Sequence, residues 1–247
     1  MYNYNDRIQK VENKINKFSS IKLIKDSNVS VSELSSTDSA HLGWITKINI
    51  FASTSKIAKE LKNYYQYFIS LIQEEVTIAV KGSNLKYKIH YHNDGLLISI
   101  LTNYTQDIKK SFDLSCYINT ILKLISNNLK NIFEIEIKYG IGMAAEQGIY
   151  FKKPKIEGVE NNYSFISTTD TSDIEKADYF SRISGKKITE STMFMTKLFY
   201  ENISEDLIKE NEKYAEWIKE EKDFSLKLKY YSCNVIITDF NNKIKTK

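Results

Sequence analysis

The chain is poor in the residues that punctuate and crosslink a fold. Of its 247 residues, two are cysteine (Cys116 and Cys233), one is proline (Pro154) and eight are glycine. Two cysteines without a CxxC spacing make neither a disulfide framework nor a zinc site. Cys116 has apolar neighbours in a helical stretch and reads as a core thiol rather than a nucleophile. No Pro/Gly/Ser-rich linker divides the chain, which implies one domain with decorations, or one domain and a half. No apolar run approaches membrane-spanning length and MYNYNDRIQK is not a signal peptide, so a cytoplasmic location and no membrane partner are expected. The net charge is +4, from 35 basic and 31 acidic residues that are interspersed along the chain. That pattern makes a solvated surface and argues against a nucleic-acid partner.

What is present suffices for a folded core: 42% of the residues are hydrophobic and 13% aromatic. The chain is organised around His90–Leu101, HYHNDGLLISIL. A strand arriving through Lys86–Tyr91, an Asn93-Asp94-Gly95 turn and an apolar strand leaving it predict a hairpin. Asp94 then sits at the hairpin tip, and His90 and His92 share one face. A carboxylate there is placed to hold a divalent cation, although Asn-Asp-Gly is also ordinary turn chemistry.

Around the hairpin, alternation predicts a strand at Trp44–Phe51, with Trp44, Thr46, Ile48 and Ile50 on the core side. The helical spacing of Ile57, Leu61, Tyr64, Tyr65, Phe68, Leu71 and Ile72 predicts a helix after it, and Ile108–Leu129 predicts a second. FEIEIKYG (133–140) predicts a strand continued by Ile141–Ala145, with Gly148–Phe151 returning as its partner. A short amphipathic helix is expected over 4–18 and a polar connector over 25–40. Further on, a helix is expected from Asp173 to Ser184, a strand at Thr192–Thr196, and a helix from its N-cap Ser204 to about Glu221. A strand pair, Ser225–Tyr231 and Asn234–Asp239, is expected at the end. The order strand, helix, strand, strand, helix, strand predicts an α+β, ferredoxin-like βαββαβ sheet with its helices on one face.

That order, with polar residues at the first strand's end and at the hairpin tip, resembles the class III nucleotidyl cyclase domain. The likeness is greatest to the bacterial Pycsar cyclases, which make cyclic UMP or cyclic CMP in antiphage defence. INIFAST (48–54) is similar to the family's Asp-Ile-Arg-x-Ser-Thr strand end, and HNDGLLISI (92–100) to its Gly-Asp hairpin. YGIGMAAEQGIYFK (139–152) is similar to the Gly-Ile-Gly strand and its return. ADYFSRIS (177–184) resembles the Val-Asn-x-Ala-x-Arg/Lys helix, and MTKLFYENI (195–203) a Phe-Tyr-Glu-Asn-Leu element.

The resemblance implies a palm-type catalytic domain over 41–200, preceded by a helix and connector (1–40) and followed by an extension (201–247). It implies cyclisation of UTP or CTP with release of pyrophosphate, and a divalent cation, Mg²⁺ or Mn²⁺, as cofactor. Of the two metal aspartates, Asp94 matches the second, while the first falls on Asn49, whose amide oxygen ligates without charge. The catalytic Asn/Arg pair maps to Asp178 and Arg182, four residues apart on one helical face. Base recognition maps to His90, with Asp170 and Asp173 near the other base-reading position. Lys152, Lys153 and Lys155 are a charge run within reach of a triphosphate or of solvent alone. The resemblance also implies a head-to-tail homodimer in which Asp94 of one copy faces Arg182 of the other, and a separate effector protein that reads the cyclic product. Two departures, Asn49 and Asp178, keep a second reading open: a pseudo-cyclase acting as a nucleotide-binding or interaction module. A third reading, a ferredoxin-like nucleic-acid binder, is disfavoured by the low charge and by the lack of an aromatic-basic strand motif.

Overall fold

The computed structural model describes residues 22–24, 39–54, 62–102, 105–152, 163–167, 173–186, 192–223 and 228–237. The elements in chain order are β1 (Lys22–Ile24), β2 (Ser39–Thr54), α1 (Lys62–Gly82), β3 (Tyr87–His92), β4 (Gly95–Thr102), α2 (Thr105–Phe133), β5 (Ile137–Lys152), β6 (Tyr163–Ser167), α3 (Asp173–Lys186), β7 (Met193–Thr196), α4 (Lys197–Glu201), α5 (Ser204–Glu210), α6 (Tyr214–Trp217), β8 (Lys219–Asp223) and β9 (Leu228–Cys233). The expected helix over 4–18, most of the connector, Lys153, Lys155 and Asp170 lie outside the described residues.

The chain divides into two units: residues 1–43 with 147–170, and residues 44–146 with 171–247. In the first, β1 runs parallel to the start of β2, with Lys22 opposite Ser39, and the end of β5 pairs antiparallel with β6, with Gly148 opposite Ser167. In the second, the strands follow the order β3-β4-β2-β5-β7-β9-β8. Its first four strands, with α1 and α2, are the expected ferredoxin-like βαββαβ set.

Strand alternation explains two cores. Ile48 and Ile50 on β2, and Leu96, Ile98 and Ile100 on β4, are buried under helices α1 and α2. These helices present Ile69, Ile72, Val76 and Val80, and Ile108, Phe112, Leu122 and Leu129, at helical spacing. Each such side chain contributes about 1.5–3 kcal/mol of burial. The opposite face is also covered. There Phe180 of α3, Phe194 of β7 and Tyr230 of β9 stack with ring centroids 5.1 Å apart in each of two pairs. The two helices of the βαββαβ set lie on one face, as expected, and α3, outside that set, packs on the other side of the sheet. Ile45, Asn49 and Phe51 of β2 are therefore buried as well.

Four further elements differ from expectation. Helix α2 runs to Phe133 and ends in a left-handed residue, Glu134 (φ 56°), whose amide donates to the Lys130 carbonyl at 3.1 Å. That is an αL-type ending, so Phe133 belongs to the helix and not to the strand. Strand β5 is continuous over 16 residues, so Gly148–Phe151 is its extension, and its partner is β6. The single helix expected from Ser204 to Glu221 is two short helices followed by β8. Helix α5 starts from Ile203 without a side-chain cap, and Asn211 leaves it in extended conformation. Strand β9 then pairs with β8. Residues 234–237 form no strand, because buried Asn119 and Thr120 of α2 bond them: Asn119 donates to the Val235 carbonyl at 2.9 Å, and the Ile237 amide donates to Thr120 Oγ1 at 3.0 Å. No helix among the described residues is long and apolar enough to cross a membrane.

Candidate active site

The hairpin tip is tethered to helix α1 and to the end of β2. Gln73 of α1 donates from Nε2 to the carbonyls of His92 and Gly95, both at 2.8 Å. The Ala52 amide, near the end of β2, donates to the Asp94 carbonyl at 2.8 Å. Tyr65 in turn donates its hydroxyl to the Ala52 carbonyl at 3.3 Å. Gly95 permits this closeness, since a Cβ at that position would stand 1.8 Å from the Ile50 carbonyl oxygen. The Asp94 backbone is thereby held and its carboxylate projects into a cleft of about 670 Å³ lined by Tyr65, Tyr91, His92, Asn93, Asp94 and Arg182.

Helix α3 supplies the other wall. It lies close on β5 at Gly142, where a Cβ would stand 1.8 Å from the Ala177 carbonyl oxygen. Asp178, Ser181 and Arg182, on the following turn, then face β2 and the hairpin. Arg182 Nη1 donates to Asp94 Oδ2 at 2.8 Å, and its Nε to Asp178 Oδ1 and Oδ2 at 3.1 and 3.0 Å. The guanidinium also lies 5.0 Å from the centre of the Phe51 ring. Its pKa is raised, first by the Asp178 hydrogen bond and then by Asp94, against the opposing effect of burial. Asn49 is 2% exposed and donates from Nδ2 to Asp178 Oδ1 at 3.0 Å and to Ser181 Oγ at 2.7 Å. One residue from the first strand, one from the hairpin and two from α3 thus form a continuous polar chain, Asn49–Asp178–Arg182–Asp94.

No family model matches the chain. It is 27% identical over 210 residues to a uridylate cyclase of Treponema porcinum, covering 83% of this chain and 68% of that protein. By structure it is similar to the guanylyl cyclase Cya2, with a TM-score of 0.54 at 10% identity over 81% of this chain and 96% of that one. It is also similar to the adenylyl cyclase CyaB of P. aeruginosa, with a TM-score of 0.51 at 8% identity over 78% and 95% of the two chains. The chain has the fold of these nucleotidyl cyclase domains.

Within this fold the structure brings together Asn49, Asp94, Asp178 and Arg182. Asp94 and Arg182, expected to meet across two copies, already touch within one chain. His90 is exposed on β3 and shares a sheet face with Asn49, since both are opposite Leu97. Burial, then Lys88, Lys47 and His92, lower its pKa. Asp173 opens α3. Ser181, Tyr65, Gln73 and Phe51 were not singled out from the sequence. Ser181 had a legible signal, its place one turn after Asp178, whereas Gln73 and Tyr65 sit on a stripe that reads only as a helix face.

The donor set can be compared with a divalent cation's needs. Among the described residues no group of three or more His, Cys, Asp or Glu side chains converges. Two carboxylates do, those of Asp94 and Asp178, both on Arg182. A small hard cation that keeps its waters and takes substrate phosphates needs only one or two carboxylates from the protein, so this set fits one.

Proposed function

We propose that this domain converts a pyrimidine nucleoside triphosphate, UTP or CTP, to the 3′,5′-cyclic mononucleotide and pyrophosphate. The observation that carries the reading is the Asp94–Arg182 contact: a carboxylate for a cation and a guanidinium for phosphate, side by side in an open cleft. The likeness to a uridylate cyclase supports the choice of a pyrimidine. The domain acts as a homodimer, and its product is a signal read by a separate effector protein in antiphage defence.

Arg182 presents a planar donor fork, now spread over two carboxylates, that matches phosphate oxygens. On entry of a triphosphate it turns from Asp94 to the phosphate and steadies the charge on the α-phosphate oxygens as the 3′-hydroxyl, losing its proton to solvent, attacks the phosphorus and pyrophosphate leaves. Asp94, freed from the guanidinium, would hold a divalent cation, which would supply positive charge against the triphosphate. Tyr65 lines the cleft and holds the strand end through the Ala52 carbonyl, and the Phe51 ring keeps the guanidinium in place. His90, whose neutral imidazole both donates and accepts, reads the base edge.

The test is incubation of the full chain with each of the four nucleoside triphosphates and Mg²⁺ or Mn²⁺, with mass spectrometry of the products. A cyclic pyrimidine nucleotide that disappears in Asp94→Ala and Arg182→Ala supports the enzyme. A folded protein that binds a nucleotide without turning it over supports the pseudo-cyclase instead, a reading favoured by the full engagement of the Asn49 amide nitrogen with α3.

A further inference from the structure

The strand position expected to carry a metal carboxylate holds the amide Asn49, and the helix position expected to carry an amide holds the carboxylate Asp178. In the fold these two side chains touch: Asn49 Nδ2 donates to Asp178 Oδ1 at 3.0 Å. We propose that acid and amide have exchanged places, so that Asp178 and Asp94 are the carboxylate pair that takes the divalent cation, and Asn49 positions Asp178. The inference rests on the proposed cyclase chemistry for why a cation is wanted here.

Three observations carry it. First, Asp94 and Asp178 already share one positive group, since Arg182 Nη1 reaches the first at 2.8 Å and Nε reaches the second at 3.0 Å. Both carboxylates thus converge on one guanidinium, and both are open to solvent, with side chains 33% and 53% exposed. Second, Asn49 is 2% exposed and its amide nitrogen is committed to Asp178 and Ser181. Its role is therefore to hold, by donating two hydrogen bonds, and a carboxylate could not donate them. Third, an aspartate at 49 would place two negative groups about 3 Å apart, one of them buried, where like charges disfavour ionisation of both. An acid thus fits one of the two positions and an amide the other.

The exchange is testable with the nucleotide-free full chain. Mn²⁺ binding is followed by the electron paramagnetic resonance of the free ion, and folding by thermal melting, in wild type, Asp178→Asn, Asn49→Asp and the double variant. The proposal expects Asp178→Asn to lose about tenfold or more in Mn²⁺ affinity with a preserved melt. It expects Asn49→Asp to lower the melting temperature, and the double variant to recover both wild-type melting and Mn²⁺ affinity. Wild-type Mn²⁺ affinity in Asp178→Asn would overturn it, as would a double variant that binds no better than Asp178→Asn or a wild type that binds no Mn²⁺. Since no nucleotide is present, this pattern stands or falls separately from cyclic-nucleotide turnover.

Discussion

Arg182 Nη1 lies 2.8 Å from Asp94 Oδ2, joining helix α3 to the hairpin tip 88 residues earlier in the chain. The same guanidinium holds Asp178 through Nε, so one side chain serves two acids. A lysine carries the charge but not the fork, and cannot reproduce both contacts. Arg182→Lys is expected to fold and to lose about 10²-fold or more in cyclic-nucleotide formation, the scale of losing one preorganised donor to a phosphoryl transition state. Product quantified by mass spectrometry checks this, and a rate within threefold of wild type would remove Arg182 from the chemistry.

The hairpin tip depends on a backbone approach that no other residue than glycine tolerates. At Gly95 φ is +155° and a Cβ would meet the Ile50 carbonyl oxygen at 1.8 Å. Gly95→Ala must push β4 from β2 at the point where the Ala52 amide holds the Asp94 carbonyl. The expected cost is about 1–3 kcal/mol of stability, the range seen when a packed site is forced apart. Thermal or urea unfolding measures it, and an unchanged midpoint would show that the strands can part freely.

Much of this was legible in the chain. The alternation of Leu96, Ile98 and Ile100 and the turn before them fixed the hairpin, and the apolar stripes of α1 and α2 gave the first helical layer. The second layer was concealed by β2 itself. Its outward residues, Ile45, Lys47, Asn49 and Phe51, look like a mixed solvated face, yet three of the four are buried, because a strand covered on both sides need not alternate. The residue types of the site were legible, but not their pairing. Asn49 and Asp178 are 129 positions apart, and nothing local in either stretch announces that one amide will donate to the other's carboxylate. The C-terminal boundaries failed for a similar reason, since Asn119 and Thr120 capture residues 235–237 from more than a hundred positions away.

His90 gives a pH-dependent expectation. Its pKa lies below the ordinary value of 6.5, by partial burial first and then by the nearby Lys88, Lys47 and His92. The folded state therefore binds the proton less readily than the unfolded chain does. The stability tied to the neutral ring is present above pH about 6.5 and is lost as pH falls through the lowered folded value. The ring is largely exposed, so the effect is small. Comparison of wild type with His90→Gln by urea unfolding at pH 7.5 and 5 is expected to show a stability gap that shifts against wild type at the lower pH. A gap that does not move with pH would show that the ring carries no folding-linked proton.

The two cysteines give the last expectation. Cys116 on α2 and Cys233 at the end of β9 are both free and buried, 5% and 1% exposed. Burial pushes the Cys233 thiol up to about 12. Cys116 is raised well above its usual value, by burial first and then by Cys233 and Asp113. A thiol reacts as its thiolate, and at pH 7–8 neither group supplies one or is open to a reagent. The native chain is therefore expected to give almost no reaction with an aromatic disulfide reagent over minutes, and two equivalents once unfolded in guanidinium chloride. The rate of native labelling then reports opening of the core rather than thiol chemistry, so a variant that loosens the sheet, such as Gly95→Ala, should label faster in step with its loss of stability. Rapid labelling of the folded wild type would mean that at least one of these thiols stands open to solvent, and that the packing between α2 and β9 is looser than its buried side chains require.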